Sequence, residues 1–173
     1  QAIYTDSLQN GWASWGWASD IDFNNATPVH GGSRSIAVTI GSGWQAIYLH
    51  HSAFNSATYT DLNFWIHGGT AGGQKLQVQA ELDGAAQTAV ALNPLAAGGW
   101  SEVTISLAAL GVANKSNLDG IWIQDTSGSS WPAFYLDDVR LVTGPSVTLT
   151  SPEAGAAFVA PATIDLAATK DEI

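Results

Sequence analysis

Apolar residues in this chain recur at every second position, and a Gly, Asn, Asp or Pro interrupts them every 8–15 residues over the first 142 positions. A two-residue period is the signature of half-buried strands. No stretch keeps the 3.6-residue period of an amphipathic helix. Candidate strands are 2–8, 15–23, 34–41, 44–50, 60–67, 74–82, 86–92, 100–106, 119–125 and 133–142. Ten strands in that length predict an all-β chain folded as a two-sheet antiparallel jelly-roll β-sandwich. Ser106-Leu-Ala-Ala-Leu-Gly111 predicts a single helical turn stopped by its glycine.

The pattern changes after Val142. All eight Trp precede it, and residues 146–173 contain one aromatic, Phe158. Thr143-Gly-Pro145 is a breaker, which divides the chain into a main domain, 1–143, and a segment, 144–173, with two short strands that cannot stand alone. The run Ser146-Val-Thr-Leu-Thr-Ser-Pro152-Glu-Ala-Gly155 resembles the opening of a bacterial Ig-like domain. The resemblance implies a linker and the first strands of a truncated Ig-like domain, and with it a modular parent protein.

Composition narrows the partners. Charged residues make up 12% of the chain, with 5 Lys+Arg against 15 Asp+Glu, a net charge of -10. A polyanion needs a basic surface, so nucleic acid is excluded as an expected partner, and an anionic membrane surface with it. No apolar run is long enough to span a bilayer. Absence of Cys removes disulfides, thiol nucleophiles and Cys-based zinc sites. Low charge with abundant Gly, Ser, Thr, Asn and Trp suits a secreted, extracellular protein.

Alternation assigns the faces. In 44–50, Ile47 and Leu49 point to the core, leaving Trp44, Ala46, Tyr48 and His50 outward. In 119–125, Ile121 and Ile123 are inward, leaving Trp122 and Gln124 outward. In 74–82, Leu76, Val78, Ala80 and Leu82 are inward, leaving Lys75, Gln77, Gln79 and Glu81 outward. Jelly-roll order makes these three strands neighbours, so Trp44, Tyr48, Trp122, Gln124, Gln77, Gln79 and Glu81 are expected on one surface. Trp15 and Trp17 share a face of the preceding segment, and one of them is expected to join. Indole rings match the apolar C–H faces of a sugar, and planar amides match its equatorial hydroxyls. Trp12, Trp65 and Trp100 are expected to pack, and Trp131 to sit at a rim.

Among the acids, Asp137-Asp138 stand out within Ala133-Phe-Tyr-Leu-Asp-Asp-Val-Arg-Leu-Val142. Asp137 alternates with Val139 and Leu141, which predicts a carboxylate aimed inward, too costly to leave unpaired. Two answers are open: Ca2+, with Asp6 and carbonyls of the Gly31–Ser35 loop as further ligands, or an ion pair from Asp137 to Arg34. The four His show no chelating arrangement, because His50 and His51 alternate and His30 and His67 lie apart.

Gly11-Trp12, His30-Gly-Gly-Ser-Arg-Ser-Ile-Ala-Val38 and Phe134-Tyr-Leu-Asp-Asp-Val-Arg-Leu141 resemble landmarks of β-sandwich carbohydrate-binding modules of families four, nine, sixteen and twenty-two. The resemblance spans about residues 2–142. It implies a structural Ca2+ held by Asp137, Asp6 and carbonyls around Gly32 and Ser35. It also implies glycan binding on the concave sheet through residues such as Trp44, Tyr48 and Trp122. The Trp-rich 12–17 segment departs from any one of these families.

Glycoside hydrolysis needs two carboxylates across a cleft, and the expected surface offers only Glu81. The expectation is therefore a non-catalytic module that binds plant-type polysaccharide, β-glucan or cellulose first and xylan or mannan second, and targets an attached glycoside hydrolase. The alternatives are an adhesion or protein-interaction module, and a jelly-roll hydrolase or lyase using Glu81.

Overall fold

The computed structural model describes residues 1–144, 147–153, 155–159 and 162–170. The strands are β1 (Ala2–Tyr4), β2 (Ala13–Ser14), β3 (Asp20–Asn25), β4 (Ser35–Ile40), β5 (Ala46–Phe54), β6 (Tyr59–His67), β7 (Leu76–Leu82), β8 (Ala85–Ala86), β9 (Val90–Ala91), β10 (Trp100–Ser106), β11 (Leu118–Asp125), β12 (Trp131–Thr143), β13 (Val147–Ser151) and β14 (Ala167–Lys170). No helix occurs among the described residues. The expected turn after β10 is one hydrogen-bonded loop, in which Leu110 N donates to Ser106 O and Ser106 Oγ accepts from Ala109 N.

Two antiparallel sheets form the main unit. The first has the order β10-β6-β12-β4-β3, with β1 also paired to β12; the second has the order β2-β5-β11-β7-β8, with β9 also paired to β7. This is the order that jelly-roll topology predicts for the strands that the two-residue period marks out. Val38, Phe64, Ile66, Phe134 and Leu136 of the first sheet meet Ile47, Leu49, Val78, Ile121 and Ile123 of the second in one buried cluster. Each such side chain contributes about 1.5–3 kcal/mol when removed from water.

Two boundaries differ from expectation. The strand expected at 15–23 is shared between the sheets. Trp15 N donates to Tyr48 O and Trp17 N to Ala46 O on the second sheet, whereas Ser19 N donates to Thr39 O on the first. The strand expected at 86–92 is two short pieces, β8 and β9. The chain separates into a unit of residues Gln1–Thr143 and a second of residues Gly144–Ile173. In the second unit β13 pairs with β14. The expected breaker Pro145 and part of the expected turn, Ala154, lie outside the described residues.

Candidate functional site

The outward face of the second sheet collects most of the expected residues. Trp122 stands in register with Tyr48 on β5 and with Gln79 on β7. One step along β11, Gln124 pairs with Ala46 and Gln77; in the other direction, Gly120 pairs with His50 and Glu81. The segment before β3 runs along the free edge of β5, which places Trp15 and Trp17 beside the same row. Both are exposed, at 59% and 42%. The structure therefore brings together both edge tryptophans, where one was expected.

The rings touch in a continuous chain. Trp15 stacks on His50 with centroids 3.5 Å apart and planes 4° from parallel. Tyr48 meets Trp15 at 6.2 Å and 88°, and Trp122 at 5.4 Å and 89°. Trp17 lies 5.7 Å from Trp122 and 6.2 Å from Tyr48. Such edge-to-face pairs are favourable because the positive rim of one ring meets the negative face of the next.

Tyr48 occupies a different level from its neighbours. Its ring lies over Gly120, where an added Cβ would fall 2.4 Å from Tyr48 Cε2. From there its hydroxyl donates to Glu81 Oε2. Tyr48 is only 8% exposed and Glu81 7%. Burial, followed by the hydrogen bond to Glu81, holds the phenol well above its usual titration range, so it stays protonated. Tyr48 thus forms the floor and the indoles stand around it; it faces outward as expected but is covered by its neighbours. A glycine inside a strand marks a close approach, and Gly120 was the available signal.

Beside the rings runs a row of amides. Gln79 Oε1 accepts from Trp122 Nε1 at 3.2 Å and from Gln77 Nε2 at 3.0 Å. Gln77 Nε2 also reaches Gln124 Oε1 at 2.9 Å, Gln124 Nε2 reaches Trp44 O at 3.0 Å, and Gln79 Nε2 reaches Gln87 O at 3.0 Å. Each amide keeps unused donor or acceptor capacity towards solvent.

Trp44 lies outside β5, in the loop of residues 41–45, so strand alternation does not aim it. Its indole is 58% exposed. Sequence reasoning missed Asp125, which is fully buried and accepts from Trp44 N, Gly128 N and Ser127 Oγ, tying this loop to the next. It also missed His50 as the support of Trp15.

The first sheet carries its own outward rings, Trp65, Trp100, His67 and Tyr135, all half-buried, and the loop of residues 26–34 reaches over two of them. His30 of that loop stacks on Trp65 at 3.8 Å and meets Trp100 at 5.8 Å. Asp137 lies in register with Trp65, so it belongs to the outward face under the loop. This corrects the inward placement: Asp138 adopts φ +50° in a bulge where the β12–β6 register shifts, and the extra residue reverses the alternation between Leu136 and Val139.

The predicted metal residues meet donors in place of a cation. Asp137 Oδ2 accepts from His30 N and Gly31 N, and Asp137 Oδ1 from Asp138 N. Asp6 Oδ1 accepts from Ser33 N and Arg34 N, and Asp138 Oδ2 contacts His30 Nδ1 at 2.7 Å. Gly32 is needed for close approach, since a Cβ there would fall 2.4 Å from Asp6 Oδ1. Buried Ser35 uses its hydroxyl on Pro28 O and Asn25. Calcium would need oxygens converging on one point. The loop instead offers N–H groups, and no three His, Asp or Glu side chains gather to hold a metal among the described residues. These residues satisfy one another, which does not fit a cation. The alternative ion pair from Asp137 to Arg34 does not form, since the Arg34 guanidinium donates to Asn24 O. Backbone donors lower the Asp6 carboxyl, whereas burial, outweighing its three donors, raises that of Asp137.

A groove of about 480 Å³ between residues 90–96 and β10 is lined by no aromatic side chain.

No protein-family model matches the chain. Over 146 residues it is 26% identical to an endoglucanase of Dictyostelium discoideum, a match that covers 80% of this chain and 20% of that enzyme. Among solved structures, it resembles a family 11 carbohydrate-binding module from Clostridium thermocellum in complex with a β-1,3-1,4-mixed-linked tetrasaccharide. That TM-score is 0.60 at 11% identity, covering 82% of this chain and 94% of that one. A family 22 xylan-binding domain from Paenibacillus barcinonensis aligns with TM-score 0.52 at 14% identity, covering 83% and 96%. The main unit has the fold of β-sandwich carbohydrate-binding modules.

Proposed function

We propose that residues 1–143 form a non-catalytic module that binds a neutral plant-type polysaccharide, β-glucan or cellulose first and xylan or mannan second. The observation that carries this is the unbroken chain of Trp15, Tyr48, Trp17 and Trp122 next to a row of three glutamines on an open sheet face. Sugar rings stack their C–H faces on indoles, and the amides take the hydroxyls. Low charge suits a neutral ligand. The partial match to an endoglucanase supports a module that holds an attached glycoside hydrolase against its polymer outside the cell.

A hydrolase using Glu81 is the second reading, and the geometry works against it. The Glu81 carboxylate on β7 is almost wholly covered and accepts the Tyr48 hydroxyl; Asp119 on the neighbouring β11 is 9% exposed and accepts from Gly84 N. Neither acid is presented to the open face. Affinity electrophoresis on hydroxyethylcellulose, mixed-linked β-glucan, xylan and glucomannan tests the proposal. Retardation on at least one, without release of reducing sugar, is expected. Mobility unchanged on all of them overturns the polysaccharide reading, and sugar release abolished by Glu81→Gln would establish the enzyme.

A further inference from the structure

Trp44 sits with φ +66°, in the left-handed region. Bulky side chains avoid that region because Cβ crowds the following carbonyl; glycine enters it freely, and asparagine at little cost. Burial does not offset the strain, because the indole is more than half exposed. The loop does not need the indole either. Trp44 N donates to Asp125 Oδ2 at 3.2 Å, and Trp44 O accepts from Trp17 Nε1 at 2.8 Å and Gln124 Nε2 at 3.0 Å. All three bonds use the main chain and would survive any side chain.

The backbone around it is locked. A Cβ on Gly43 would fall 2.3 Å from Gly128 Cα, so the loops of residues 41–45 and 126–129 are pressed together. Two of the three clamps on Trp44 come from side chains of the ring and amide face itself. Trp44 takes no part in the ring contacts described above. A strained, exposed aromatic on a rigid mount is retained for what its ring does in solvent.

We propose that Trp44 is a separate sugar-stacking plate at the loop end of the face, engaged only by chains that extend past the Trp15–Tyr48–Trp17–Trp122 cluster. This rests on the polysaccharide reading and deepens it. The clamps on its carbonyl tie the plate to the main cluster, so a long chain meets both in a fixed spacing and a short one meets the cluster alone.

The test compares Trp44→Gly and Trp44→Asn with the wild type, as full chains. Calorimetric titration uses cello-oligosaccharides and mixed-linked β-glucan oligosaccharides from tri- to hexasaccharide, with thermal melting alongside. Affinity for the hexasaccharide is expected to fall about tenfold while that for the trisaccharide stays within about twofold. Tm should hold or rise by roughly 2 °C as the strain is relieved. Equal loss at every length would place Trp44 in the main cluster and overturn the inference, as would no loss at any length. A clear drop in Tm in both variants would assign the ring a structural role and overturn it too. Failure of the wild type to bind any of these sugars removes the polysaccharide reading along with the plate, whereas wild-type binding matched by both variants removes only the plate.

Discussion

Each sheet turns a run of rings away from the core. On the second sheet these are His50, Trp15, Tyr48, Trp17 and Trp122; on the first they are Tyr135, His67, Trp100 and Trp65, joined by His30 from the covering loop. The inventories are nearly the same, and the surroundings differ. Around the first sheet's rings stand carboxylates, and their lone pairs collect the backbone N–H groups of residues 30–34 and fasten a loop across the face. Around the second sheet's rings the one carboxylate, Glu81, is taken by Tyr48, and the glutamines bond among themselves, leaving Trp15 and Trp17 exposed. Rings alone therefore do not define a binding face. The polar groups beside them decide whether the protein covers its own rings or leaves them for a partner.

The comparison breaks most readily through the rings. Replacing Trp15 and Trp122 together by Ala should lower polysaccharide affinity about 100-fold, at about tenfold a ring, whereas Trp65→Ala with Trp100→Ala should leave it within about twofold and lower Tm instead. Equal loss of affinity from the two pairs, read by calorimetry, would make both faces binding surfaces.

Next in size is the clasp. Asp137→Ala leaves three backbone donors under the loop without their acceptor, which should cost about 2 kcal/mol, or roughly 4–8 °C in Tm. Binding by this variant should match the wild type.

A smaller effect is expected with pH. His67 Nδ1 accepts from Gly69 N, and burial holds the imidazole below its ordinary 6.5. The folded-state value is depressed, so the stabilisation is complete above 6.5 and is lost as pH falls through the folded value. Tm should decline from pH 7 towards about pH 5, and less so in His67→Gln. Further into acid the two clasp carboxylates oppose each other. Asp6, lowered by its backbone donors, loses its stabilising contribution as pH falls below 3.8, whereas Asp137, raised by burial, loses its own as pH rises through its folded value. Any change in polysaccharide affinity over the His67 window should be the same in His67→Gln as in the wild type, because His67 lies on the other sheet.

The smallest effect concerns calcium, the rival account of the same clasp. With N–H groups already on Asp6 and Asp137, chelator should move Tm by no more than about 1 °C. A fall of several degrees, restored by CaCl2, would show that a cation holds the loop.

The facing of the side chains was legible because it follows from a period of two, which survives without knowledge of contacts; the strand order came from assuming jelly-roll topology, which the structure has. Gln77, Gln79, Trp122 and Gln124 were aimed outward by that period, and the assumed strand order made them neighbours. Where the period failed, one residue of unusual backbone was responsible. Asp138 in its bulge reversed the facing of Asp137, and Trp44 left the strand through a left-handed turn, though it stayed exposed. Depth was also hidden: nothing in alternation says that Tyr48 lies flat, because that depends on the missing side chain of Gly120 two strand positions away on a neighbour. The clasp's donors were hidden for a different reason. Residue types announce carboxylates and a glycine-rich loop, but whether that loop turns carbonyls or N–H groups towards them depends on its path.

The amide row has a thermodynamic consequence. From Gln87 O through Gln79, Gln77 and Gln124 to Trp44 O, each side chain is oriented by the one before it. Turning any one amide by half a revolution would set donor against donor or acceptor against acceptor at its neighbours. Free glutamines lose rotamer freedom when they grip a ligand; these three have surrendered it during folding. A sugar arriving at this face finds its hydrogen-bonding partners already stationary, so the ordering entropy of association falls on the sugar and on the water it displaces.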